Sequence, residues 1–231
     1  MTSFALSRSP ALDHHVTQGR AWLADSAQGA NTVALSYAAF EFRLAIERLG
    51  VHYWLELLAR PLEEKDLRDL HSFKRIENRI YELGGHQKEI NGHFEFMRTV
   101  LHLLKIERKL PTPNLEKLSS YWHKCSELCH IGGSLSSSDP QLMQALFSDL
   151  EQIATALVEQ VTGLVGWPVI TDDGLRQLRA DFTAARANAA DIERYFQKTG
   201  AWAREQYQDG RAAEFIGKAI PPKDSNDPSA V

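Results

Sequence analysis

Lys124, His123, Cys125, Cys129 and His130 lie within eight residues of the stretch LEKLSSYWHKCSELCHIGG, 115–133. An imidazole near neutral pH accepts or donates a proton. An ammonium steadies a phosphate as a point charge, without the two-pronged grip of a guanidinium. Thiolates and imidazoles are also zinc ligands. On a helix, however, His123 stands about 160° from Cys125, at ~100° per residue. Convergence of four ligands would require the helix to unwind, so the thiols read as small packing groups, and no metal or cofactor is expected. His130 has a second reading, as a cation or cap favoured by the negative end of the helix. Lys124 has one as a solvated charge. Arg43 and Glu47, four apart in apolar company, read as an internal ion pair. Arg79 and His86 repeat a cation-to-histidine spacing, but across Gly84 and Gly85. Tyr53, Trp54, Tyr121 and Trp122 could stack bases or fill a core.

These groups need helices to position them. Leu115, Leu118, Trp122, Cys125, Leu128 and Cys129 recur at three- and four-residue steps, and Gly132 and Gly133 supply a stop. A central helix is expected from an N-cap at Asn31 toward Pro61. One face holds Leu35, Ala38, Phe42, Ala45 and Leu49; a second holds Phe40, Leu44, Val51, Trp54 and Leu58. Two apolar faces predict neighbours on two sides. Further helices are expected over 11–28, 62–83, 87–108 and 140–166, with GGSLSSSDP as a mobile loop. Residues 174–199 and 201–218 read as a C-terminal helical pair joined at Gly200. No alternating strand pattern is evident. The fold class is therefore all-α: an up-down bundle over 12–166, a helical pair over 174–218 docked on it or on a partner, and a disordered tail over 219–231.

A net charge of −4 gives no general attraction to nucleic acid or anionic membrane, so any RNA contact must be local. Two cysteines make no disulfide framework, and no run approaches a membrane-spanning length. A cytoplasmic protein is expected. Phosphate-binding glycine loops, nucleophile elbows and metalloprotease motifs do not occur.

The segment YAAFEFRLAIERL, 37–49, resembles the central "R-x-A-x-E-x-L" helix of the HEPN-like superfamily, and the resemblance covers about 12–166. It implies a helical bundle that is often dimeric. It also implies a late-helix cation and histidine that form the active site of metal-independent endoribonucleases, two copies meeting in a dimer groove. Here Lys124 and His130 hold those positions, with lysine in place of arginine. The expectation is a ribonuclease effector of the toxin–antitoxin or antiviral-defence kind, acting on RNA as a homodimer with an antitoxin or defence protein as partner. The alternative is a non-catalytic helical module that binds a protein partner or nucleotide.

Overall fold

The computed structural model describes residues 2–8, 10–58, 60, 63–129, 139–162, 166–207 and 214–223. In chain order the elements are β1 (Thr2–Arg8), α1 (Pro10–Asp25), α2 (Thr32–Leu58), α3 (Glu64–Leu67), a 3-10 turn (Asp69–His71), α4 (Phe73–Gly84), α5 (Gln87–Leu103), α6 (Leu115–Cys129), α7 (Pro140–Val161), β2 (Val169–Ile170), α8 (Asp173–Thr183), α9 (Ala189–Thr199), β3 (Ala201–Tyr207) and β4 (Glu214–Ile220). The protein is predominantly helical, as expected for the all-α class. Its contacts form two compact units interleaved in sequence: Ser9–Leu83 with Pro113–Thr162, and Met1–Arg8 with Gly84–Thr112 and Gly163–Val231. The sequence reading instead grouped 12–166 together.

The first unit is built around α2. Asn31 caps it as the sequence suggests, its Oδ1 accepting from the Ala34 amide at 3.2 Å. Leu35, Ala38, Phe42, Ala45, Ile46 and Leu49 are wholly buried, each large side chain contributing roughly 1.5–3 kcal/mol. Helices α1, α6 and α7 pack on it. Gly19 of α1 lies against the Phe42 ring, where any Cβ would collide, so α1 and α2 approach closely. The helix expected over 62–83 is broken into α3, the turn and α4. Ser72 is extended between them (φ −148°, ψ 120°). Asp66 accepts the Glu63 amide at 2.8 Å and is clamped by Arg60 at 2.7 and 3.1 Å, which holds its carboxyl down at about 2.

The second unit corrects the expected helical pair. Residues 174–199 divide into α8 and α9, with Ala185 left-handed between them (φ 56°). Residues 201–207 and 214–218, expected to be helical, lie in strands, and the second strand runs on through 219–220, expected to open the disordered tail. Gly200 (φ 72°) turns the chain out of α9, and the following residues alternate: Ala201, Ala203 and Glu205 are buried, while Trp202 is partly exposed and Arg204 exposed. That period of two belongs to a strand. The sheet order is β2-β1-β3-β4, with β1 parallel to β3 and the other two pairs antiparallel. Helices α8 and α9 pack on α5. Of the expected tail, 224–231 lies outside the described residues, as does most of the GGSLSSSDP loop.

Candidate functional site

Lys124 projects from the exposed side of α6, and its Nζ lies 2.7 Å from Asp149 Oδ1 on α7, the two side chains 44% and 36% exposed. The cation proposed to face a phosphate is thus already matched with a carboxylate. His130 lies outside the described residues. Arg79, of the alternative spacing, is held by Asp69 at 2.8 Å and Glu82 at 2.7 Å, and these bonds raise its pKa further.

The residues that carry the family resemblance do meet. Glu47 Oε1 accepts from Arg43 Nε at 3.0 Å and from Trp122 Nε1 at 2.8 Å. The Arg43 guanidinium sits 4.9 Å from the Trp122 ring centre, and Phe73 stacks on the same Trp122 ring at 6.1 Å, 11° from parallel. One carboxylate therefore ties α6 to α2. The expected ion pair forms, and its visible role is to position a helix. Burial pushes the Cys125 thiol up, and to a lesser depth that of Cys129; both are protonated at neutral pH and packed as small hydrophobes. Tyr53 and Trp54 are 1% exposed and belong to the core.

The expected second apolar face of α2 is where structure and sequence diverge. Of its five residues Trp54 is buried, Leu44, Val51 and Leu58 are half-buried and Phe40 is 46% exposed; Val33 and Tyr37, which precede Phe40 at helical spacing and are not among those five, are 55% and 51% exposed. Trp22 of α1 stacks on Tyr37 with ring centres 5.0 Å apart and planes 29° from parallel. The expected face is thus open at its first residue, Phe40, and continues into an exposed apolar stretch on the N-terminal side. Two stacked aromatic rings, with Phe40 three residues from Tyr37 on the same helix face, make an apolar patch rather than scattered exposure. His15 Nδ1 of α1 and Glu41 Oε2 of α2 lie 2.7 Å apart, a further tie between the two helices.

In the second unit, His93 is buried and stacks on Trp167 at 5.5 Å. Its Nε2 donates to the Pro168 carbonyl at 3.0 Å, leaving Nδ1 to accept from Arg179 at 3.4 Å. Burial, reinforced by the Arg179 charge, lowers its pKa to about 4. It is a neutral structural imidazole at physiological pH.

Comparison with protein-family models, with curated proteins and with solved structures found no match.

Proposed function

We propose that the chain is a non-catalytic helical module that self-associates through the Trp22, Val33, Tyr37 and Phe40 face. The observation that carries this reading is the exposed apolar row Val33, Tyr37 and Phe40 at the N-terminal end of α2, with Trp22 of α1 stacked on Tyr37. Exposed stacked aromatics are the usual anchors of a protein interface, supplying large area at little rotamer cost. A symmetric pair of copies would cover the row with itself. Light scattering tests it: Tyr37→Glu and Phe40→Glu should each halve the mass in solution while leaving helical content unchanged, and a wild type at single-chain mass would refute the reading.

The ribonuclease reading rests on the central-helix resemblance and on Lys124 and His130. Two observations favour the non-catalytic alternative over it. Asp149 occupies the Lys124 ammonium, and the unit that carries Lys124 has 11 Lys and Arg against 17 Asp and Glu, a net charge of −6. Such a surface repels a polyanion. Total RNA incubated with wild type, Lys124→Ala and His130→Ala in the presence of a chelator should remain intact in all three. Cleavage by wild type that both variants lose would restore the enzyme reading.

A further inference from the structure

The second unit carries its own exposed aromatic surface. Strands β3 and β4 are antiparallel, and Arg204 stands directly opposite Phe215. Trp202, two residues before Arg204, shares their face. Phe215 is 77% exposed. The Trp202 and Phe215 rings meet edge to face with centres 5.0 Å apart, and the Arg204 guanidinium lies 6.0 Å from the Trp202 centre. The opposite face of β3 is closed: Ala201, Ala203 and Glu205 are buried, and Glu205 is matched by Arg108 at 2.5 Å. What remains outward is two aromatic rings and a guanidinium.

Strand β4 and the segment beside it carry further cations. The Lys218 amide of β4 donates to the Leu104 carbonyl at 2.6 Å, and Gly217, at φ +71°, allows that approach where a Cβ would strike Leu104 and Ile106. The contact brings the 105–109 segment, Lys-Ile-Glu-Arg-Lys, alongside β4. Lys105 turns the chain there in a left-handed conformation, φ 58°, which a lysine adopts only when its surroundings impose it. Lys105, Lys109, Arg204 and Lys218 are all exposed, against Glu107 and Glu214. The whole unit has 15 Lys and Arg to 13 Asp and Glu, opposite in sign to its companion.

We infer that the Trp202, Arg204 and Phe215 face is a stacking platform for single-stranded nucleic acid. Every base offers a π-face to an exposed ring, and the Arg204 guanidinium beside the rings meets a backbone phosphate. The Arg204 guanidinium, 6.0 Å from the Trp202 ring centre and opposite Phe215, stands where a phosphate beside a stacked base would lie. The inference is independent of the self-association proposed for α1 and α2.

Fluorescence anisotropy of the full chain with a labelled oligouridylate, an oligothymidylate and a DNA duplex of equal length tests it. Wild type should bind the single strands, more weakly as salt rises, and bind the duplex less well because its bases are stacked away. Phe215→Ala and Trp202→Ala should each weaken single-strand binding at least about fivefold, the low end of what one stacked base contributes. Arg204→Ala should weaken it and flatten the salt dependence. Phe40→Glu should leave it unchanged. No binding by wild type at low salt, binding indifferent to Phe215→Ala and Arg204→Ala, or equal affinity for the duplex overturns the inference. So does a Phe215→Ala variant that binds no differently but loses self-association, which would make the face a protein contact.

Discussion

His93 is the residue whose chemistry the fold changes most. Unfolded, its imidazole titrates near 6.5; folded, burial holds it at about 4. Between those values the unfolded chain binds a proton that the native state does not. Stability is therefore full above about pH 6.5 and falls as pH drops toward 4, by about 3 kcal/mol in all. Urea unfolding at pH 7.5 and 4.5 should show this loss in wild type, and His93→Gln, which keeps a donor for the Pro168 carbonyl, should lose less over the same interval. Lys124→Ala, by contrast, should cost under about 1 kcal/mol, since an exposed ion pair contributes little. Neither outcome is legible in the sequence. The partners of His93 are 75 and 86 residues away, and that of Lys124 is 25; local spacing identifies a titratable group but not the environment that sets its role. Arg43 and Glu47 were legible because their partnership is four residues long and needs only a helix.

Element by element, legibility follows periodicity. α2 announced itself through an N-cap, two apolar rows and the absence of proline, and its core row is the buried one. Phe42→Ala should cost about 3–5 kcal/mol, because the ring fills the close contact with Gly19 and little can collapse into its place. Trp122→Phe, which removes the bond to Glu47 while keeping the ring, should cost about 1–2 kcal/mol and loosen amide protection in α6 before α2, readable by hydrogen exchange. The strands were hidden for a physical reason. Ala201, Ala203, Arg204, Glu205 and Gln206 all favour helices when read singly, and only the alternation of burial around Trp202 and Arg204 marks the period of two. Pairing with β1, about 200 residues earlier in register Thr2 to Ala201, is what selects the strand, and no local window contains it. The break between α8 and α9 was equally silent, since alanine-rich sequence gives no sign that Ala185 turns left-handed.

For the molecule as a whole, composition concealed a division. A net charge of −4 is the sum of one unit at −6 and another at +2, so the two surfaces invite different partners. The apolar α1–α2 face lies on the acidic unit and the aromatic, arginine-bearing strand face on the basic one. The second row of α2 was visible in the sequence as an apolar stripe; that it stays uncovered at Phe40 was not, because coverage depends on which elements the rest of the chain supplies. The most direct measurement is the solution mass of Phe40→Glu, Phe40→Lys and their equimolar mixture, beside wild type. Self-association through a face that meets its own copy predicts wild type at twice the 26.0 kDa chain mass, each variant alone at the single-chain mass, and a heavier species restored on mixing as glutamate meets lysine across the pair. A wild type at 26.0 kDa, or variants that remain paired on their own, would contradict it.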